Sequence, residues 1–550
     1  MRAPATPVQR GLSYLTKWLF AYLLVLAVVA VLAGWTPEYL HGRTWWHFMA
    51  TRMIVPMVMV AALASFIRLV PAAVLTAAGL LAVGMASAIK QAATGEPFQV
   101  SDFLLAGQGT HLTSYVAWWQ WLVAALFIPA LVHAVLRLRL RWWSLPAFAL
   151  CAGLLSSYRL EPVARWIHDN SWWIGVENLT FSQAESARMN GLATHLYFST
   201  AGLRLKTYAP AEVAAAMAAL DVAPAPAPRR QPLPDIYVVL GEAWWRDPSD
   251  MASPLDLLSG MAEGTMISPV YGGTTPNAEF EVLTAVPVYQ FQAGIIPFQH
   301  YVGYFSDDMR SLPHLLAGLG YEAHAYHNFT PRFWLRDQVY PKMGFASFDS
   351  MEQMTLTMQP NGWPTDRGLY DRVLTRSAAT TTPQMHFIVT VETHGPYQAD
   401  AEHDLIHDVS HPGITDYHRR LASAVTAFRD FDAALRARGR PYVLVAFGDH
   451  LPGTRNHQWK MGYRKETDVR LHQVPLIVSS NGDDAAAVRD RLMGRPLHCL
   501  TPVLADWLRI DVRNRYFSHV VKRCDGAADP ALKPAEAVIQ NQLFTTAAQP

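Results

Sequence analysis

The sequence predicts two parts, an N-terminal bundle of five transmembrane helices and an exported α/β domain with a central, mostly parallel sheet. Three observations support this prediction. Apolar residues make up 51% of the 550-residue chain and are concentrated in its first third. Charged residues make up only 16%, below the roughly 25% of soluble chains. Beyond a Pro-rich stretch, short β-rich apolar runs alternate with helical patterns, which indicates a largely parallel sheet.

Five apolar segments are long enough, or nearly long enough, to cross the core of a bilayer. The first runs from Trp18 to Trp35, carries no charge and lacks the small-residue cleavage site of a signal peptide, so we interpret it as a retained helix. The other four lie at about 46–67, 69–89, 115–136 and 144–159. The segments at 69–89 and 144–159 are the weakest, because one is rich in Ala and Gly and the other is short.

Basic residues mark the loops that are predicted to face the cytoplasm. Arg10 and Lys17 precede the first segment, Arg68 separates the second from the third, and the run "RLRLR" separates the fourth from the fifth. Five spans then make this a multi-pass protein of the cell inner membrane, with everything after about residue 160 on the periplasmic side. Four spans would leave that part in the cytoplasm.

The chain is predicted to divide into four parts. Residues 1–160 form the transmembrane domain and residues 161–234 a helical connector that ends in a stiff Pro-rich linker, "VAPAPAPRRQPLP". Residues 235–525 form the α/β domain. Residues 526–550 are rich in Ala, Pro and Gln, a composition typical of a flexible tail.

The best-defined helix of the second part is predicted to run from Asp416 to Arg438. Apolar residues recur there at helical spacing and share one face. These residues are Leu421, Val425, Phe428 and Leu435. Gly439 suits the C-terminal cap of this helix.

Charge and cysteine content exclude several classes of protein. The formal net charge of +1 gives no sign of a nucleic-acid partner, and three cysteines are too few for a disulfide scaffold or a zinc cluster. Cys151 lies in the fifth apolar segment, whereas Cys499 and Cys524 lie in the exported part. These two would be able to form a disulfide in an oxidising compartment, and two separate free thiols are the alternative.

Four apolar runs of the second part end in acids or histidines. The runs are "DIYVVL", "EAHAY", "HFIVTV" and "YVLVAF". The polar residues that follow them are Glu242, His327, Glu392, His394, Asp449 and His450. Since ligands bind at the carboxyl ends of the strands in open α/β sheets, four such endings indicate one shared site.

Two carboxylates and an imidazole, from Glu242, Asp449 and His450, suit one Mn²⁺, Mg²⁺ or Zn²⁺ ion. The hydroxyl of Thr275 would complete a tetrahedral set of ligands. A bound dication lowers the pKa of a coordinated hydroxyl, as it does for water, from about 16 towards about 7. This would make the threonine a competent nucleophile.

The stretch "YGGTTPNAEFEVLTA" supplies that threonine. Gly272 and Gly273 allow the backbone to pass close to a phosphate. Pro276 fits the first helical position, which makes Thr275 the N-cap and turns the helix amides towards a phosphoryl group. An ordinary helix cap is the alternative role for Thr275, and Thr274 is the fallback nucleophile.

These residues resemble the lipoteichoic acid synthase family, the membrane phosphoglycerol transferases of the alkaline phosphatase superfamily. The matching motifs occur in family order, as "GE", "TPNAEFE", "HNFTPRFWLRD", "ETHGPY" and "FGDHLP". The resemblance covers almost the whole chain. It implies an alkaline-phosphatase-like, sulfatase-type fold for the exported domain.

The resemblance also implies a role for each matching residue. The implied ligands of one Mn²⁺-type ion are Glu242, Thr275, Asp449 and His450. The residues implied to bind the glycerol phosphate are His327, Trp334, Arg336 and His394. Thr275 would become phosphorylated, Arg336 can donate paired hydrogen bonds to phosphate oxygens, and His394 can carry protons. The alternatives are a core position for Trp334, a surface pair of Arg336 with Asp337, and a turn contact for His394.

The segment "GGTTPNAEFEVLT" looks more like the Gram-negative relatives of this family. Some of those relatives decorate periplasmic glucans or other surface glycans with phosphoglycerol. Pro276 and Asn277 stand where other members carry different residues, a difference that would be able to alter which acceptor is used. His457, shortly after the Asp-His pair, is interpreted as a surface-loop residue, and the alternatives are a supporting position behind the metal ligands or a part of the acceptor site.

The predicted function is therefore a membrane-anchored, metal-dependent transferase. It would move phosphoglycerol from phosphatidylglycerol, through a threonine-linked intermediate, to an envelope glycan or polyol. The membrane anchor supports a lipid donor, because it keeps the domain where headgroups are concentrated. The nearest alternative is a phosphoethanolamine transferase on the same fold. Sulfatase activity is disfavoured because no cysteine has the required C/S-x-P-S-R context, and a scaffold protein with a vestigial site is the non-enzyme alternative.

Overall fold

The protein is described by a computed structural model that forms two compact units. One comprises Met1–Leu205 with Gln292–Ile295, and the other Lys206–Phe291 with Ile296–Pro550. The domain boundaries expected at residues 160 and 234 stay predictions. The described residues are 7–33, 45–94, 97–105, 142–170, 176, 183–200, 208–222, 232–246, 253–270, 272–291, 295–307, 309–360, 362–378, 381–395, 397–398, 413–452, 469–482, 485–509, 514–525 and 536–544.

Helices make up nearly all of the described residues of the first unit. Its helices are α1 (Pro7–Ala33), α2 (Trp45–Ala64), α3 (Leu69–Thr94), α4 (Val100–Leu105), α5 (Ser144–Ser156), α6 (Glu161–Asp169), α7 (Gln183–Asn190) and α8 (Leu192–Ser199). Among the described residues, two segments are long and apolar enough to cross a membrane, Leu12–Leu32 in α1 and Leu69–Ala88 in α3. These two helices fit a membrane anchor.

The predicted number of five spans is not reached by the described helices. The apolar part of α2, Thr51–Ala64, is shorter than the two long segments. Helix α5 has 13 residues, a length of about 20 Å against the roughly 30 Å of a bilayer core. The predicted span at 115–136 lies outside the described residues. Five spans therefore remain a prediction.

The second unit contains a seven-stranded sheet. Its strands are β1 (Asp235–Gly241), β2 (Ala262–Ile267), β3 (Glu322–His327), β4 (Ser347–Asp349), β5 (Gln384–Val389), β6 (Tyr442–Gly448) and β7 (Gln473–Ser480). Their order is β2-β7-β6-β1-β5-β3-β4. Strands β6, β1, β5, β3 and β4 run parallel, and β7 is antiparallel to both β6 and β2. The sheet is thus mixed, with the predicted mostly parallel centre.

Helices of the second unit connect and cover the strands. They are α9 (Pro210–Ala218), α10 (Thr275–Thr284), α11 (Pro297–His300), α12 (Leu312–Ala317), α13 (Arg336–Lys342), α14 (Arg367–Ser377), α15 (Ile414–Ala437), α16 (Ala485–Leu492), α17 (Leu500–Trp507), α18 (Arg515–Asp525) and α19 (Glu536–Leu543). Strands β1, β5 and β6 are buried along their whole length, as expected of central strands covered on both faces.

Helix α15 lies close to its predicted position. It begins two residues earlier than expected, at Ile414, and ends at Ala437. The predicted apolar face is buried in the core. Gly439, which follows the helix, has the left-handed φ of 69° that a C-terminal glycine supplies without strain.

Two features of the C-terminal region go beyond or against the sequence analysis. Cys499 and Cys524 form a disulfide, which decides between the two alternatives left open. The flexible tail expected at 526–550 is wrong for residues 536–544, which contain α19. Val538, Ile539 and Leu543 of this helix are buried, and the Leu543 carbonyl accepts a hydrogen bond from Ser306 N at 2.9 Å. The polar composition of the tail hid this short apolar cluster.

Candidate active site

The parallel strands carry the predicted polar residues to one edge of the sheet. Glu242 directly follows β1, His327 is the last residue of β3, and Asp449 and His450 directly follow β6. Strand β1 pairs with β5 and β6, and β3 pairs with β5. The carboxyl ends of these strands are therefore neighbours, as the shared-site argument required.

Glu242, Asp449 and His450 form a compact buried cluster. One potential ligand atom from each lies within 4.8 Å of the others. His450 Nε2 is 3.3 Å from Asp449 Oδ2 and 3.6 Å from Glu242 Oε1. Thr275 Oγ1 donates to Glu242 Oε2 at 3.3 Å. The four residues proposed as metal ligands are thus together in space.

Backbone groups orient this cluster. Asp449 Oδ1 accepts hydrogen bonds from the amides of Ala243 and His450, both at 2.8 Å. Asp449 Oδ2 is buried and has no hydrogen-bond partner among the described residues. His450 Nδ1 lies 2.9 Å from the Leu451 carbonyl, so Nδ1 carries the proton and Nε2 presents its lone pair to the carboxylates.

The electrostatics of the cluster fit a cation. Burial, followed by the nearby Asp449 carboxylate, raises the pKa of Glu242 well above its usual range, while Arg336 and Thr275 act in the opposite direction. Two adjacent buried carboxylates are costly unless a positive charge compensates them. The partnerless Asp449 oxygen, the raised Glu242 pKa and the oxygen and imidazole donors together suit one divalent ion.

The helix that bears Thr275 begins one residue earlier than predicted. Thr274, not Thr275, is the N-cap, so Thr275 is the first helical residue and Pro276 the second. The reason is that Thr274 has a left-handed φ of 66°, which extends the turn begun by Gly272 and Gly273. Thr274 makes no side-chain cap bond, and the Thr275 hydroxyl bonds to Glu242 instead of capping the helix.

Arg336 has a partner that the sequence analysis missed. Its guanidinium is fully buried and donates to Glu279 Oε1 from Nη2 at 2.5 Å and from Nε at 3.1 Å. Tyr340 Oη donates to Glu279 Oε2 at 2.5 Å. The predicted surface alternative, a pair with Asp337, is wrong, because the guanidinium turns inward to Glu279.

A signal for Glu279 was present in the sequence. It follows Thr275 by four residues on α10, so the two side chains lie on one face of the helix. A glutamate at this spacing inside a fully buried helix needs a cationic partner. Arg336 is that partner, and the pair connects the threonine helix to the "FWLRD" segment.

Trp334 lies in a strained turn. It is only 7% exposed and packs against the ring of Phe333, with ring centroids 5.6 Å apart. Trp334 and Leu335 have left-handed φ values of 61° and 59°. Such a conformation costs a non-glycine residue about 1–3 kcal/mol and is found preferentially at functional sites. Whether Trp334 contacts a ligand stays a prediction.

His327 and His394 share one hydrogen-bonding arrangement. His327 Nδ1 lies 3.1 Å from the Val389 carbonyl and His394 Nδ1 lies 2.7 Å from the Gly395 carbonyl. Because a carbonyl only accepts, each neutral ring carries its proton on Nδ1 and a lone pair on Nε2. The Nε2 atom of His327 is buried without a partner among the described residues.

Both histidines are uncharged at neutral pH. Burial lowers the pKa of His394 to about 4, and burial, followed by the charge of Arg336, lowers the pKa of His327 well below its usual range. The ring of Trp363 packs on His394 with centroids 4.2 Å apart. Each Nε2 can therefore accept a proton or a hydrogen bond.

A mostly parallel sheet with acids, histidines and a helix-borne threonine at its carboxyl edge defines the class of alkaline-phosphatase-like domains. The family model described as Sulfatase matches residues 234–510, just over half of the chain. The chain belongs to the sulfatase family, which confirms the superfamily recognised from its motifs.

Comparisons with individual proteins extend this picture. A Rhizobium meliloti (strain 1021) protein named for cyclic beta-1,2-glucan modification is 28% identical over 435 residues, covering 71% of this chain and 66% of that protein. The match thus spans just under two thirds of the relative's length.

Solved structures with similar folds include two transferases. The Streptococcus pyogenes phosphoglycerol transferase GacH, in complex with sn-glycerol-1-phosphate, is 20% identical, with a TM-score of 0.44 over 57% of this chain and 85% of that one. The lipooligosaccharide phosphoethanolamine transferase A of Neisseria meningitidis is 11% identical, with a TM-score of 0.45 over 89% of this chain and 95% of that one.

Proposed function

We propose that this protein is a membrane-anchored, metal-dependent transferase that moves phosphoglycerol from phosphatidylglycerol to an envelope glycan or polyol through Thr275. The observation that carries the proposal is the position of the Thr275 hydroxyl. It lies 3.3 Å from Glu242, in a cluster where a buried Asp449 oxygen has no partner among the described residues. A hydroxyl beside an uncompensated pair of carboxylates is the arrangement that a metal-activated nucleophile requires.

One divalent ion would be held by Glu242, Thr275, Asp449 and His450. Mn²⁺ is the ion we expect first, with Mg²⁺ and Zn²⁺ as alternatives that suit the same donors. When bound, the ion lowers the pKa of the threonine hydroxyl and neutralises charge on the phosphoryl group.

In the first step Thr275 Oγ1 attacks the phosphorus of the lipid headgroup. The Oγ1–P bond forms, the P–O bond to diacylglycerol breaks, and the threonine proton is passed on to the departing diacylglycerol oxygen. His394, neutral with a free lone pair on Nε2, is suited to hold that proton in transit. His327 Nε2 would accept a hydrogen bond from a glycerol hydroxyl.

In the second step an acceptor hydroxyl attacks the phosphothreonine. The new P–O bond replaces the Oγ1–P bond, and the acceptor proton returns to Thr275. The relative named for glucan modification favours a glucan as acceptor. Trp334 would pack on the glycerol backbone, and Arg336 would provide positive charge near the phosphate.

The location of the reaction is proposed to be the outer side of the inner membrane. Helices α1 and α3 fit an anchor that keeps the domain near phospholipid headgroups. The Cys499–Cys524 disulfide fits an oxidising compartment, where such bonds persist. An extracytoplasmic α/β domain satisfies both observations.

Mass spectrometry tests the proposal. The purified full-length protein is incubated with Mn²⁺ and phosphatidylglycerol, and in a parallel arm with phosphatidylethanolamine. A phosphoglycerol adduct on Thr275 is the expected result. An adduct formed only with phosphatidylethanolamine would move the assignment to a phosphoethanolamine transferase, and an unmodified Thr275 with both lipids would refute the covalent mechanism.

A further inference from the structure

An open cavity of about 830 Å³ lies in the second unit, between α14 and α15. Its walls come from the segment 353–357, one face of α14 and the middle of α15. The buried residue Glu392 also lines it. None of the residues discussed so far as metal or phosphate ligands belongs to its lining, so the cavity is distinct from the candidate active site.

The cavity nevertheless adjoins that site through the chain. Glu392 is followed by Thr393, whose hydroxyl donates to the Glu242 carbonyl, and then by His394. Only one residue, Thr393, therefore separates the cavity wall from a candidate catalytic histidine.

A hairpin forms the second connection between the two sites. Thr357 and Thr365 line the cavity, and they are joined by a backbone hydrogen bond of 2.8 Å from Thr365 N to the Thr357 carbonyl. Between them, Trp363 packs on His394 and donates from its indole nitrogen to the Gly395 carbonyl at 2.9 Å. One hairpin thus has the cavity on one side and the candidate site on the other.

The charges around the cavity do not suit an anionic ligand. Arg367 pairs with Asp430 at 2.6 Å and Arg372 pairs with Asp349 at 2.8 Å, so each guanidinium already has a carboxylate partner. Glu392 adds a further acid to the wall. A phosphate or lipid headgroup would have to compete with these carboxylates, which disfavours it.

The remaining lining suits a neutral ligand that is rich in hydroxyls. The lining residues include no aromatic side chain, and Met354 is the large apolar one, so an acyl chain would find little surface to bury. Hydroxyl groups come from six of the fifteen lining residues. They belong to Thr355, Thr357, Thr365, Thr375, Ser423 and Thr426. Thr375 and Thr426 donate to the Asp371 and Ala422 carbonyls of their own helices, so these two offer lone pairs to a ligand. With the other hydroxyls and the Glu392 carboxylate, the lining presents polar groups to which sugar hydroxyls can bond.

We propose that this cavity binds the acceptor, a neutral polyhydroxylated chain such as a glucan oligosaccharide. One part of the chain binds between α14 and α15, and a hydroxyl further along it reaches the phosphoglycerol on Thr275. This inference rests on the proposed function, and it adds to it a binding site for the acceptor apart from the donor site.

Steric blocking tests the inference. Thr426→Trp fills the cavity from α15, and Thr357→Trp fills it from the hairpin. Ala433→Trp is the matched control, because Ala433 is exposed on the same helix and does not line the cavity. Each full-length variant is assayed for the Thr275 adduct from labelled phosphatidylglycerol and for transfer of the label to a linear β-glucan oligosaccharide.

We expect adduct formation within about twofold of wild type for all three variants, and a KM for the oligosaccharide raised at least tenfold in the two cavity variants only. Normal adduct formation shows that a variant is folded, and having two blocking positions guards against one misfolded protein. An unchanged KM for the oligosaccharide in both cavity variants would overturn the inference.

Direct binding separates this inference from the proposed function. Saturation-transfer NMR with the oligosaccharide and the full-length protein, without lipid, is expected to show binding by wild type and the control and its loss in the cavity variants. Absence of a Thr275 adduct in wild type would overturn the proposed function whatever this measurement shows. Equal binding by all variants would overturn the cavity assignment alone.

Discussion

The polar cluster around Thr275 and the polar cluster around Arg336 both contact α10, yet they differ in how completely their groups are paired. In the first, Asp449 Oδ2 is buried with no partner among the described residues. In the second, Arg336 and Tyr340 together occupy both carboxylate oxygens of Glu279. The first cluster is incomplete without a ligand, whereas the second is complete in itself.

This difference separates a chemical role from a positioning role. A buried polar group without a partner is expensive, and it persists where a ligand supplies the missing interaction. A fully paired buried ion pair instead fixes geometry. Glu279 follows Thr275 by one helical turn, about 6 Å along the axis, so the pair holds Arg336 at a set distance from the proposed nucleophile. We expect Glu279 to act as a positioning residue for Arg336.

The largest effect is expected from removing the proposed nucleophile, Thr275. Thr275→Ala deletes the hydroxyl and is expected to lower transferase activity by at least about 10³-fold and to abolish the lipid-derived adduct. Stability should fall by only about 1–3 kcal/mol, because the hydroxyl does not cap α10 and the loss is limited to its hydrogen bond with the buried Glu242. The activity assay measures the loss of transfer, mass spectrometry of the intact protein measures the adduct, and thermal unfolding measures the stability. Thr274→Ala is the control. If this variant is as inactive as Thr275→Ala, and its unchanged Thr275 carries no adduct, the chemistry would be assigned to Thr274.

The next prediction tests whether the cluster around Thr275 needs a bound cation. Asp449→Asn keeps an oxygen that can accept from Ala243 and His450 but removes a negative charge beside Glu242. Without metal the variant should be as stable as wild type or more stable. With metal at 100 times its Kd, wild type should gain about 2.7 kcal/mol and the variant much less. Thermal unfolding with and without Mn²⁺ measures this, and equal gains would remove Asp449 from the ligand set.

The third prediction attempts to break the complete cluster. Glu279→Gln leaves the buried Arg336 without a counter-charge, which is expected to cost about 3–5 kcal/mol of stability. Thermal unfolding of the full-length protein in detergent measures the loss, and donor KM should rise because Arg336 is no longer held. Tyr340→Phe removes one neutral donor and should cost about 0.5–1.5 kcal/mol.

A double variant separates positioning from general instability. Glu279→Gln combined with Arg336→Met removes both charges, so stability should recover in part while donor KM stays high. Recovery of both quantities together would mean that the ion pair serves only the fold.

The same contrast explains how much of the site could be predicted from the sequence. Glu242, His327, Asp449 and His450 were found because each terminates an apolar run, and parallel strands align such ends in space. The pairing of Arg336 with Glu279 was missed because it joins α13 to α10, two helices whose contact leaves no period in the sequence. Polar residues that directly follow apolar runs can be recognised in a sequence, whereas a contact between two separate helices cannot.

Errors in the fold have similar physical causes. The N-cap was placed one residue late because a left-handed Thr274 is uncommon, and propensity favoured Thr275 followed by proline. Residues 536–544 were assigned to a flexible tail because their average composition is polar, although Val538 and Ile539 supply a buried face. Local composition describes a segment on average, whereas packing depends on a few positions.

The smallest effect compares two buried histidines on neighbouring strands. His386 has both ring nitrogens paired, Nδ1 with Tyr326 Oη at 3.0 Å and Nε2 with Gln384 Oε1 at 3.1 Å, whereas His327 keeps Nε2 unpaired among the described residues. Burial lowers the pKa of His386 well below its usual value. The unfolded chain therefore takes up a proton near pH 6.5 that the folded ring does not accept.

The stabilisation from neutral His386 should be complete above about pH 6.5 and should decline by up to about 1.4 kcal/mol per pH unit as the pH falls towards the lowered folded value. His386→Phe removes this proton uptake, so its stability should depend less steeply on pH between 6.5 and 5, although two lost hydrogen bonds lower it at pH 8. Thermal unfolding across this range compares the two slopes. Parallel slopes would mean that the ring titrates alike in the folded and unfolded chains, and that complete pairing does not keep it neutral.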